Sequence, residues 1–220
     1  SIVASRPYLA GGRIRTDVIG PAVSFGSGTM VQNVVTWING QSGRWIGVLI
    51  MPVSALAGYT LMTYVTMAAN LAALVLFETM RIDIMSSQAR GEADRSRRLI
   101  ALTTYASLAI TLLVYVVVFV VQAYQDNFLP AGYHIDLQLA IASALFSCLQ
   151  VVFLRSVWLA TSHKRTKTLA SVAVVSAILT IAASWMLGKI YGDLGLMLGA
   201  VAGAAAQAVI GNLLMARILS

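Results

Sequence analysis

From Trp45 to Phe77 the chain carries no charged residue, and further uncharged runs of comparable length follow one another to its end. A helix needs roughly 20 apolar residues to cross about 30 Å of hydrocarbon, so runs of this kind place most of the chain in lipid. Composition agrees. Of 220 residues, 59% are hydrophobic and 10% charged, with a mean hydropathy of +0.82, whereas soluble domains carry about 25% charged residues. So few charges cannot build a soluble surface. The expected fold is all-α and integral to the membrane, a bundle of about six transmembrane helices forming one half of a two-bundle transporter. The spans are expected near 21–39, 53–77, 99–123, 137–159, 168–187 and 195–219, after a basic cytoplasmic tail or inter-bundle linker over 1–20. The second run is too long for one untilted span, so Pro52 is expected to start or kink that helix.

The net charge of +7 does not point to nucleic acid, because the basic residues fall in short connections between apolar runs and form no patch on a polar domain. They alternate instead. Arg6, Arg13 and Arg15 precede the first span, Arg81, Arg90, Arg95, Arg97 and Arg98 follow the second, Lys164, Arg165 and Lys167 follow the fourth, and Arg217 ends the sixth. The other connections hold only Arg44 and Lys189. By the positive-inside rule both ends of the segment are expected in the cytoplasm. Trp45, Tyr124, Tyr133, Trp185 and Tyr191 then lie near outer ends, where aromatic rings anchor at the headgroups.

Several spans carry polar stripes at helical spacing. Ser24, Gly28, Gln32, Thr36 and Asn39 recur at intervals of three and four in the first, with Asn33 beside them; Tyr59, Thr63, Thr66 and Asn70 repeat the device in the second. Ser143, Ser147 and Gln150 do so in the fourth, and Ser176, Thr180 and Ser184 in the fifth. One reading is hydrogen-bonded glue between helices. The other, favoured by stripes on several helices, is a hydrated cavity that would be a substrate path. Gly195, Gly199 and Gly203 make overlapping GxxxG patterns in the last span and are expected to be a packing ridge.

Arg155 is the one Arg or Lys well inside an expected span, which makes it a candidate ligand group. Snorkelling to the nearby interface is the competing reading, and a regular helix turns it roughly 110° from the Ser143, Ser147 and Gln150 face. Glu78 and Arg81 are spaced to pair across one helical turn, and the segment Gln88–Arg98 is read as a solvated connection. His134 and His163 lack ligand spacing, so neither a metal nor a cofactor is expected. The single cysteine, Cys148, lies among apolar residues and is read as packing.

The stretch ALAGYTLMTYV around Gly58 and Tyr59, the long apolar helix after it, and the turn MSSQARGEADRSRRL resemble the polysaccharide and O-antigen flippases of the multidrug/oligosaccharidyl-lipid/polysaccharide exporter superfamily. The ending YGDLGLMLGAVAGAAAQAVIG is similar to their Gly- and Ala-rich final helices. A Pro usual shortly before the Ser of that turn is absent, and Asp83 stands near its place.

The resemblance implies a carboxyl-terminal half of a transporter in the bacterial cytoplasmic membrane, completed by an amino-terminal half. It implies movement of a lipid-linked oligosaccharide between leaflets with no bond made or broken, cavity arginines attracting its pyrophosphate, and Arg155 as the candidate for that role. The alternative on the same scaffold is a cation-coupled drug exporter, which would favour acidic residues facing the cavity. A membrane glycosyltransferase or polymerase would have to build its site from Asp126, His134 and Asp136.

Overall fold

The structure, a computed structural model, describes residues 16–124, 135–163 and 165–219, without the side chains of 16–19, 21, 22, 24, 25, 218 and 219. The stripe residue Ser24, and Arg6, Arg13, Arg15, Asp126, Tyr133, His134 and Lys164, therefore lie outside the described side chains. Five α-helices make up the described chain: α1 Thr16–Ile50, α2 Ala57–Ala89, α3 Ala93–Ala123, α4 Leu137–Ser162 and α5 Thr166–Leu219, with a 3-10 turn at Val53–Leu56. Four stretches, Val53–Ala89, Ala93–Ala123, Leu137–Ser162 and Thr166–Arg217, are long and apolar enough to cross a membrane. This is a multi-pass membrane protein.

The expected six spans become five helices. The expected first span falls within α1, which has 35 residues and whose Gly, Ser, Thr, Asn and Gln content makes it more polar than the four apolar stretches. The expected fifth and sixth spans are one helical element of 54 residues. Straight, that element would reach about 80 Å, far beyond a bilayer's hydrocarbon core. It does not run straight. At Gly192 the backbone leaves the helical region (φ 63°, ψ −135°), a conformation open essentially to glycine alone, and α5 folds into two antiparallel arms. The arms touch backbone to backbone: a methyl group at Gly195 would overlap the Leu187 carbonyl, at Gly199 the main chain of Ser184, and at Gly203 the Thr180 hydroxyl. Small residues permit this approach.

The other boundaries also move. Pro52 is the extended N-cap residue of the 3-10 turn (φ −63°, ψ 147°), in keeping with its fixed φ, and α2 continues through Glu78 and Arg81 to Ala89. The expected connection Gln88–Arg98 is mostly helical, with only Arg90, Gly91 and Glu92 between α2 and α3. Gly91 supplies the turn (φ 76°), and Glu92 ties it by ion pairs to Arg90 (3.0 Å) and Arg95 (3.2 Å). Arg44, expected in a connection, lies inside α1.

Burial is inverted relative to a soluble bundle. Ser107, Thr111, Ser143, Ser147, Ser176 and Ser184 have no exposed surface, while Leu113, Met30 and Ile178 are each more than 60% exposed. Large apolar side chains face the lipid and small polar ones mediate contact between helices. The core has two tiers. Tyr59, Met62, Tyr115, Leu139, Leu196 and Met197 fill one end; Phe77, Ile84, Ile100, Phe153, Trp158, Leu169 and Met215 fill the other. Along the sequence of helices, α1 packs on α5, α5 on α4, and α4 on both α2 and α3, which also pack on each other; α1 and α2 hardly meet along their length.

Candidate functional site

Two sets of contacts hold the walls of the gap between α1 and α2. α1 lies alongside the first arm of α5 in the same direction: Gly28 sits against Thr166, Val35 clusters with Ala173 and Ala177, and Ile50 meets Gly188. The second arm runs with α4, Gly211 resting on Phe153 and the Asn212 amide donating to the Val152 carbonyl at 3.4 Å. What remains is a groove walled by α1 and α2 and floored by α4 and the second arm of α5.

The groove comprises two joined compartments. One, of about 460 Å³, is lined by Gln32, Asn33 and Thr36 of α1, by Asn70, Glu78 and Arg81 of α2, and by Gln150 and Trp158 of α4, among others. The second, of about 520 Å³, shares Asn33, Thr36, Asn70 and Gln150 and adds Asn39, Tyr59, Thr63, Thr66 and, from α5, Gln207. Of the expected path residues, the structure thus brings Gln32, Asn33, Thr36, Tyr59, Thr63, Thr66, Asn70 and Gln150 to one groove from three helices.

Ser147 is placed elsewhere. It is fully buried, and its Oγ lies 2.9 Å from the Tyr115 hydroxyl, which is 3.0 Å from Thr66 Oγ1, so it joins α4 to α3 and, through Tyr115, to α2. Ser143 is likewise internal, donating to the Ala140 carbonyl at 3.0 Å. The fifth-span stripe is also corrected: Ser176 and Thr180 bond within their own helix, and Ser184 donates across the α5 hairpin to the Leu196 carbonyl at 3.2 Å. None of the three lines the groove compartments.

Arg155 is exposed and lines neither compartment, as its turn away from Gln150 implies. Positive charge enters elsewhere. At one mouth Arg81 pairs with Glu78 at 3.2 Å, both largely exposed. At the other end Arg44, one helical turn beyond Gln41, lays its guanidinium over the Tyr64 ring at 4.5 Å. Its Nε and Nη2 are buried without a hydrogen-bond partner among the described residues. Buried guanidinium donors without a partner are costly unless an anion completes them.

Sequence reasoning missed three things. Gln207 was hidden in the Gly- and Ala-rich ending; it is 2% exposed, yet borders the groove with its Nε2 unpartnered. Arg44 read as a loop residue. Thr103, Ser107, Thr111 and Tyr115 recur every fourth residue on α3 and are all buried, a stripe that the same periodicity test would have found. Among the described residues no cluster of His, Cys, Asp and Glu is arranged to hold a metal. Comparison with protein-family models, with curated proteins and with solved structures finds no match.

Proposed function

We propose that this chain is one bundle of a flippase in the bacterial cytoplasmic membrane that moves a lipid-linked oligosaccharide from the cytoplasmic to the outer leaflet. The observation that carries the reading is the groove itself: amide and hydroxyl side chains from four helices line an opening that runs between α1 and α2, inside a shell of lipid-facing Leu, Ile and Val. A sugar chain needs such a sheltered polar route, and a prenyl tail can stay in lipid outside it. Arg44 is better placed than Arg155 to attract a pyrophosphate, having unpartnered N–H groups near the groove's end. In this reading α1 and each arm of α5 cross the membrane, giving six crossings, and both ends of the segment are cytoplasmic, with Arg90, Arg95, Arg97, Arg98, Arg165, Lys167 and Arg217 on that side.

Transport would proceed by alternating access, a second bundle closing over the open face of α1 and α2 and rocking against it. That partner is the amino-terminal half implied by the family resemblance. The reaction breaks no bond and uses no cofactor. A cation-coupled drug exporter is the second reading; the only carboxylate bordering the groove among the described residues is Glu78, and it is neutralised by Arg81 at an exposed mouth, which favours the flippase. The test is glycan export in cells lacking their own flippase. Co-expression of this chain with an amino-terminal bundle should restore export, while the chain alone inserts without exporting. Extrusion of cationic dyes without any glycan export would instead establish the exporter.

A further inference from the structure

We infer that Gln207, with Gln150 and Asn70, forms a recognition point for an uncharged, hydrogen-bonding ring such as an acetamido sugar, set midway along the groove. This rests on the reading of the groove as the path of a lipid-linked oligosaccharide and names which part of that ligand the wall selects. Three helices supply the amides: Asn70 from α2, Gln150 from α4 and Gln207 from the second arm of α5. Gln150 Nε2 lies 3.5 Å from Gln207 Oε1, which aligns the two side chains and leaves Gln207 Nε2 as an unpartnered donor; Asn70 Oδ1 and Asn39 Oδ1 are unpartnered acceptors bordering the same compartment. A buried polar atom left this way is costly until something meets it.

A donor and acceptors held this way match the mixed donor and acceptor pattern of a hydroxyl pair or an acetamido group. Trp37, Phe146, Met67 and Met197 line the same compartment and offer apolar surface for the faces of a sugar ring. Among the described residues lining it none is ionised at neutral pH, so an ammonium or carboxylate entering this stretch loses hydration without gaining a counter-ion. The wall therefore selects neutral rings over charged ones. It also makes the second arm of α5 a substrate-contacting element as well as a packing ridge.

Equilibrium dialysis of the 220-residue chain in lipid nanodiscs, with empty nanodiscs as control, tests this with three short glycosides: butyl N-acetyl-β-glucosaminide, its de-acetylated amine and butyl β-glucuronide. The neutral glycoside should bind at least about tenfold tighter than either charged one. Gln207→Met should weaken its binding about three- to tenfold, as loss of one hydrogen bond does, and so should Asn70→Leu on the α2 wall, which keeps the test available if one variant does not fold. Tighter binding of the glucuronide would overturn the inference and assign recognition to Arg44; so would neutral binding that folded Gln207→Met and Asn70→Leu leave unchanged. The two readings fail separately. Selective binding without any restored glycan export leaves the subsite and removes the flippase, whereas restored export with unselective binding does the reverse.

Discussion

The Tyr115 hydroxyl stands between Thr66 Oγ1 at 3.0 Å and Ser147 Oγ at 2.9 Å, so one phenol on α3 links α2 and α4 directly behind the groove wall. Thr66 lines the groove and Ser147 does not, which makes this bridge the brace that holds the wall in place. Tyr115→Phe keeps the ring and removes both bonds. It should cost about 1–2 kcal/mol, near the upper range for hydrogen bonds between membrane helices, read as a lowered unfolding midpoint in detergent. An unchanged midpoint would mean that the bridge contributes nothing.

The α5 hairpin predicts a contrast among glycines. Gly199→Val puts a branched side chain into the main chain of Ser184 and should abolish monodisperse protein, and Gly192→Ala should cost about 1–3 kcal/mol by forcing a side chain onto φ 63°. Gly40 has open space around it and lies mid-helix, so Gly40→Ala should be neutral or stabilising by about 0.5–1 kcal/mol. Size-exclusion profiles and unfolding midpoints of the three variants check the order.

Much of this was legible in the sequence because polar side chains at intervals of three and four must share a helix face. The stripes Gln32, Thr36, Asn39 and Tyr59, Thr63, Thr66, Asn70 were readable for that reason and reached the groove, although Gly28 of the first stripe meets Thr166 instead. Periodicity says that a face avoids lipid; it does not say what the face meets. Ser176, Thr180 and Ser184 have the same spacing yet close on glycines of their own hairpin, and Ser147 turns to Tyr115. Gln207 was obscured because its neighbours are the Ala and Gly of a packing ridge, and a helix presents different neighbours on different sides. The fold-back at Gly192 takes up only the short interval Lys189–Asp193, and the two arms it separates fall where two spans were expected, though the helical hydrogen bonding runs on almost unbroken between them.

Topology gives an independent prediction. Single cysteines at Asp94, next to the α2–α3 turn, and at Arg217 should react only with reagents admitted to the cytoplasm, and one at Lys189, beside the hairpin turn, only with impermeant reagents outside. Labelling of Lys189→Cys from the cytoplasm would show that the two arms of α5 do not cross as proposed.

Arg155 and the groove residues should separate in transport. Because Arg155 is exposed and lines neither compartment, Arg155→Ala should leave export near its original level, whereas Arg44→Ala should reduce it about tenfold or more, comparable to loss of a charged hydrogen bond, and Gln150→Leu should also reduce it. For Gln150, a neutral amide, the loss is that of an uncharged hydrogen bond, about three- to tenfold, and export rates in complemented cells at matched protein levels decide. A severe defect in Arg155→Ala alone would return the ligand role to that residue.

If the substrate passes between α1 and α2, site-specific photocrosslinking in glycan-exporting cells will find it there. A photoreactive residue at Thr36, which borders both compartments, should capture the radiolabelled lipid-linked oligosaccharide, and the same residue at Arg155 should not. Equal capture at both positions, or capture at Arg155 alone, would contradict the groove as the path.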